Sequence, residues 1–168
     1  MARSLIVLVT TCLLTLSALG AQAIHWQRYE DAVYGYEIDL PLGMFTGSRR
    51  DDNGVTLVET DGRGQIDVYG AANTENLSPR EFQAVLSGAD RIREITYARR
   101  GQSWFVISGY YHREGDNSED LIFYAKFMFS PDREHLSAFE ASYPVADKRR
   151  YDPIIERMED SLTSPDLD

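Results

Sequence analysis

The chain has 168 residues, of which 43% are hydrophobic and 26% charged, and its formal net charge is −10. A surplus of acids repels phosphate backbones and anionic lipid headgroups, which argues against nucleic acid as a partner. The single cysteine, Cys12, lies so near the start that the rest of the chain has no internal disulfide, thiolate zinc site or cysteine nucleophile to offer.

Residues 1–23 read as a cleavable secretory signal. Arg3 supplies a positive start, Leu5 to Leu19 carries no charge, and Ala21-Gln22-Ala23 has the small-x-small pattern that signal peptidase accepts. The rival is an uncleaved membrane anchor. A span needs about 20 apolar residues, and this run is shorter and interrupted by Thr10, Thr11, Thr15 and Ser17. Cleavage between Ala23 and Ile24 leaves one domain, residues 24–168, with no membrane span. Losing Arg3 moves its charge from −10 to −11. The expected compartment is the periplasm or exterior of a bacterium.

The remaining chain reads as strands with two helices. Tyr36, Ile38 and Leu40 alternate with Glu37 and Asp39 in a half-buried strand that ends at Pro41. Asp51-Asp52-Asn53-Gly54 is a turn. The strand Val55–Glu59 follows, then the Asp61-Gly62-Arg63-Gly64 turn, then a returning strand from Gln65 to Ala71. Ser78-Pro79-Arg80-Glu81 opens a helix with a capping hydroxyl, a proline at the first helical position and a glutamate placed to close a capping box. Phe82, Val85, Leu86 and Ala89 are expected on its inner face. Four strands follow, Glu94–Arg99, Ser103–His112, Asp120–Phe129 and His135–Tyr143, with connections short enough for an antiparallel meander. The middle two are apolar on both faces: Phe105 and Ile107 oppose Trp104 and Val106, and Phe123 and Phe127 oppose Ile122 and Tyr124. Such strands need cover on both sides, so the sheet is expected between helical layers. Tyr151, Ile155, Met158 and Leu162 mark the final helix, with Asp152-Pro153 as its start or a kink, and a polar tail after it.

Residues able to carry chemistry are few. No nucleophile elbow, phosphate loop or dinucleotide fingerprint is present, and no cofactor is implied. His25 is placed in a mobile start, and His112 and His135 border strand ends, where a histidine is ordinarily just solvated. A small hydrolase or lyase would need one of the latter two to meet a carboxylate such as Glu114 or Asp116 in a pocket. The loop 114–120 is dense in oxygen ligands but lacks the alternating acids of a calcium loop, so a solvated hairpin loop is the simpler reading. Lys148, Arg149 and Arg150 offer a cationic patch for a partner's acids, against the plainer reading of exposed charges on a helix start. Tyr110, Tyr111 and Tyr124 would line a groove if they share a face, although sheet packing explains them equally.

Tyr34-Gly35-Tyr36-Glu37-Ile38-Asp39-Leu40-Pro41, followed by Met44-Phe45, resembles the opening motif of a group of exported bacterial domains of unassigned function. The similarity continues through Asp61-Gly62, Val68-Tyr69-Gly70, Ile95-Thr96-Tyr97, Trp104 to Gly109, Phe123 to Lys126, Tyr143-Pro144 and Tyr151-Asp152-Pro153. Leu40 departs from it, since an aromatic is usual before that proline. The order of elements is also similar to the PsbP-like fold. That resemblance implies an α+β fold in which an antiparallel β-sheet of about six to seven strands is sandwiched by helices. It also implies an accessory or binding role toward an envelope protein, with no active-site residues to carry over.

Overall fold

The computed structural model describes residues 24–51, 54–112 and 120–167. The expected export signal, Asp52-Asn53 of the first turn, and all of the acidic loop but Asp120 lie outside these residues.

Among the described residues there are nine strands and two helices, in the order β1 (His25–Asp31), β2 (Tyr36–Leu42), β3 (Phe45–Asp51), β4 (Gly54–Glu59), β5 (Gln65–Ala72), α1 (Pro79–Ser87), β6 (Ile92–Arg100), β7 (Trp104–Tyr111), β8 (Leu121–Phe129), β9 (His135–Pro144), a 3-10 turn (Val145–Asp147) and α2 (Lys148–Ser161). The spatial order is β1-β2-β3-β4-β5-β9-β8-β7-β6. β2 touches β3 only at Leu42–Phe45, so β3 to β9 form a seven-stranded antiparallel body and β1–β2 a separate hairpin beside it. The fold is α+β, an antiparallel sheet with a helix on each face, as the resemblance implied. Two strands went unread: β3, and β1, where His25 pairs with Leu42 in place of the mobile start expected of it.

The period-two pattern divides the side chains cleanly between the faces. Val68, Phe139, Tyr124, Ile122 and Tyr143 point to the side that α2 covers. Phe105, Ile107, Phe123, Phe127 and Ala138 point to the side that α1 covers. α2 contributes Tyr151, Ile154, Ile155 and Met158, all buried, with Leu162 at its C-cap. It starts four residues before Asp152-Pro153, so Pro153 lies inside the helix, and Asp152 does not cap it.

At α1 the capping box forms as read: the Glu81 amide donates to Ser78 Oγ at 3.3 Å and the Ser78 amide to Glu81 Oε2 at 2.9 Å. Phe82 then sits over Phe127, Phe129 and Phe105, with ring centroids 5.5 to 6.1 Å apart. Val85 is 66% exposed, against the expectation from spacing. The buried arc runs through Pro79 and Gln83 instead, and Val85 falls about 140° from its centre, outside the contact of a helix this short.

The segment after α2 is not a free tail. The Thr163 amide donates to Glu37 O at 3.0 Å, Ser137 Oγ donates to Thr163 O at 2.6 Å, and the Asp166 amide reaches Gly35 O at 3.2 Å. It thereby ties the β1–β2 hairpin to β9. Gly35 has φ +62, and a Cβ there would lie 2.0 Å from Asp166 O, so only glycine fits beneath the tail.

Ile107 and Phe127 are 2% and 1% exposed. Replacing either with Asp puts an unpaired charge between α1 and the sheet, at a cost comparable to the whole stability of about 5–15 kcal/mol. Circular dichroism should show cooperative unfolding lost for Ile107→Asp and Phe127→Asp. Val85→Lys should stay within about 0.5 kcal/mol of the parent chain.

Candidate functional site

The two helices do not cover the whole sheet, and each leaves an opening. On its side, α2 lies over β2, β9 and part of β8, and a groove of about 370 Å³ runs between it and the strands toward β6. Tyr97, Ser108, Tyr124 and Tyr143 form its floor. The wall is one stripe of α2: Lys148, Asp152, Glu156 and Glu159, at spacings of four, four and three residues. Helical periodicity alone puts these four on one side.

Three contacts fix the groove's shape. Tyr124 Oη donates to Glu159 Oε2 at 2.5 Å, Lys126 Nζ donates to Glu159 O at 2.6 Å, and Lys148 Nζ meets Asp152 Oδ1 at 2.7 Å. Burial, then the Glu159 carboxylate, raises the Tyr124 phenol far above its ordinary value. Burial, with the Asp152 charge behind it, pushes Tyr143 up to about 12. Both phenols are neutral at any physiological pH and act as hydrogen-bonding, aromatic surface.

On the opposite face a shelf of about 420 Å³ lies over β4, β5 and β9 beside α1. There Tyr69 Oη donates to Glu140 Oε1 at 2.5 Å and Arg91 meets Glu140 Oε2 at 2.8 Å. Asp67, directly opposite Glu140 in the ladder, accepts from Thr56 Oγ1 and Gln65 Nε2, each at 2.7 Å. Every polar group named here is satisfied by a neighbour.

The residues singled out from sequence fall apart into different roles. Arg150 is a structural cation. Its guanidinium pairs with the Glu59 carboxylate, which is 4% exposed, and with Asp147 Oδ2 at 3.3 Å. Tyr151 Oη also donates to Glu59, at 3.1 Å, and a Cβ on Gly64 would lie 1.8 Å from that oxygen. Lys148 lines the groove, and Arg149 is exposed, with no carboxylate partner among the described residues.

The tyrosine trio also divides. Tyr124 is in the groove, Tyr110 lies on the same face beneath the Arg93 guanidinium, and Tyr111 is on the other face, stacked 4.8 Å from Phe123. His112 is exposed at the end of β7. His135 packs its ring 5.9 Å from Tyr34. Neither lines a groove described above, and no hydrogen bond or ion pair joins either side chain to a carboxylate among the described residues. Tyr97, Tyr143 and the acidic stripe of α2 were missed. The stripe was legible as a helical period of charged residues, whereas Tyr97 and Tyr143 join it only through strand order.

No family model matches the chain, and no curated protein matches it. Solved structures do. The solution structure of cyanobacterial PsbP from Synechocystis sp. PCC 6803 is similar with a TM-score of 0.56 at 18% identity, over 93% of this chain and 98% of that one. The crystal structure of the Saccharomyces cerevisiae Ran-binding protein Mog1p is similar with a TM-score of 0.55 at 9% identity, over 84% and 96% of the two chains. Among the described residues no helix is long and apolar enough to cross a membrane.

Two outcomes follow from this geometry. Arg150→Ala leaves the Glu59 carboxylate buried with only the Tyr151 hydroxyl, and should cost about 2 kcal/mol, discounted from a fully buried pair because Arg150 is partly in water. Arg149→Ala should change little, and denaturant titration of both variants tests the contrast. The second concerns alkali. A phenol whose folded pKa is raised stabilises the fold fully below its unfolded value near 10, and that contribution fades as pH rises through about 12 for Tyr143. The part of the phenolate absorbance that Tyr143→Phe removes should therefore appear together with unfolding above pH 10. A phenolate signal near pH 10 that is absent in Tyr143→Phe, with the fold intact, would contradict the burial described.

Proposed function

We propose that the chain is an exported accessory domain that acts by binding another protein of the bacterial envelope. The groove beside α2 carries the reading. It is an open strip of the sheet that the chain's own helices leave bare, floored by tyrosines and walled by charges. Aromatic and polar surface of this sort is common where proteins meet. The Ran-binding description of one structural neighbour lends the same fold a binding role elsewhere, by analogy alone.

Export rests on the order of charged start, apolar run and Ala21-Gln22-Ala23 in residues 1–23. A cut between Ala23 and Ile24 keeps every described element, since β1 begins at His25 and Ile24 packs against the core under α2. The partner surface runs from the groove onto Lys148 and Arg149 at its end. Arg150 is left out of it, because reversing that charge would strike Glu59 and the fold together.

Crosslinking the tagged domain in its own envelope, with captured proteins identified by mass spectrometry, tests this. One recurrent protein should be captured by the parent chain and be lost from a Lys148→Glu, Arg149→Glu variant whose unfolding curve is unchanged. Equal capture by that variant would move the surface elsewhere. Cell fractionation tests export: the mature chain should begin at Ile24 outside the cytoplasm.

A further inference from the structure

β6 closes one end of the sheet, and it is a long edge. Among the described residues, Ile92 to Arg100 pairs with β7 and with no other strand. Edges of this kind attract further strands, and proteins guard them with bulges and charges. The first half of β6 is guarded. It has register breaks between Ile92 and Glu94 and between Ile95 and Tyr97, and Arg93 is paired with Asp120 at 2.7 Å. The second half, Tyr97 to Arg100, runs in regular register against Ser108 to Phe105.

Its outward main-chain groups can be identified. The Gly101 amide donates to Trp104 O, so the bonded pairs of this ladder alternate through Arg99–Val106 and Tyr97–Ser108. Ala98 and Arg100 therefore turn their N–H and C=O groups away from β7. The side chains flanking them are cationic and lack carboxylate partners among the described residues. Arg99 lies 6.0 Å from the centre of the Tyr97 ring, and Arg100 donates to the neutral Gln83 Oε1 at 3.3 Å. The opposite edge differs: on β1, Arg28 is answered by Glu37 and Asp39 of its own hairpin. In a chain of net charge −10, these two adjacent arginines lie beside open backbone groups with no acid paired to them among the described residues.

We propose that Tyr97–Arg100 receives an extended acidic segment of a partner protein, which adds to the sheet as a further strand. The proposal rests on the protein-partner reading above and names the chemistry of one such contact. Successive side chains of a strand alternate between faces, so Arg99 and Arg100 put one guanidinium on each face. The complementary segment carries two acids at successive positions, one for each. Backbone hydrogen bonds at Ala98 and Arg100 give affinity, and the charges give selection.

The probe is a short synthetic peptide, Thr-Val-Glu-Glu-Val-Thr, set against the same peptide with Lys-Lys at its centre. Both are titrated into the 15N-labelled mature domain. The Glu-Glu peptide should shift the amides of Ala98 and Arg100 and slow their exchange, with an affinity about tenfold above that of the Lys-Lys peptide. Ala98→Pro removes one outward donor while sparing the β7 ladder, as proline does on an edge, and should abolish the response. Arg99→Glu with Arg100→Glu, exposed positions that leave the core intact, should invert the preference. Equal binding of both peptides, no binding, or shifts confined to the groove would each overturn the proposal. Concentration-dependent self-association through the same amides would overturn it too, assigning the edge to a second copy. These residues are separate from Lys148 and Arg149, so loss of the peptide result alone leaves the groove reading standing.

Discussion

The structure is governed by a mismatch of area. β7 and β8 are apolar on both faces, so the sheet requires two covers, yet the described residues supply one helix of nine residues and one of fourteen. A helix rises about 1.5 Å per residue and is about 10 Å across, so neither can roof seven paired strands. The helices are placed where the apolar demand is greatest. Phe82 of α1 goes to the Phe105–Phe127–Phe129 cluster, and Tyr151 and Met158 of α2 go to the strip between β2 and β8. What remains bare is largely polar or aromatic, which tolerates water without a cavity cost. The groove and the shelf are thus by-products of a short-helix solution to covering a wide sheet.

Holding α2 in place takes more than its apolar stripe. Glu59, at the end of β4, is buried and would be intolerable alone. Arg150 and Tyr151, neighbours in the first turns of α2, answer it from two sides, and Gly64 leaves room for the phenol. At the other end, residues after Leu162 bond to β2 and β9 and close the seam that the single β2–β3 contact leaves open. The Tyr34-Gly35-Tyr36 motif serves the same seam. Tyr34 packs over Gly70, Gly35 gives way to the Asp166 carbonyl, and Tyr36 is wholly buried. A motif first noted for its resemblance therefore has a mechanical reason in this chain.

Legibility followed the range of the interactions involved. The capping box at Ser78, the Asp61-Gly62 turn and the alternation in β2 are local, and each appears where the residues put it. β1 escaped notice because His25-Trp26-Gln27-Arg28 has no alternating apolar face. Its strand is set by pairing with β2 and by the Arg157 guanidinium 4.3 Å from the Trp26 ring. Val85 misled because a spacing rule fixes which residues share a helix face but not which part of that face is pressed on the sheet. Arg150 misled for a different reason. A run of three basic residues reads as one patch, and only the fold brings a buried carboxylate from 91 positions away to claim one of them.

The same consideration bears on where a binding surface can lie. Charges that have found partners within the fold are committed to holding it, and Arg28, Arg150 and Arg157 belong to that class. Those left over can act on something else without a stability penalty. Arg149 at one end of the groove and Arg99 and Arg100 on the free edge are such residues among those described. Arg99 and Arg100 border the bare strip, with Tyr97 between the groove floor and the edge. Specificity in this architecture is therefore best sought in the unpaired charges beside the uncovered strip, since a charge already paired within the fold cannot be redirected without loss of stability.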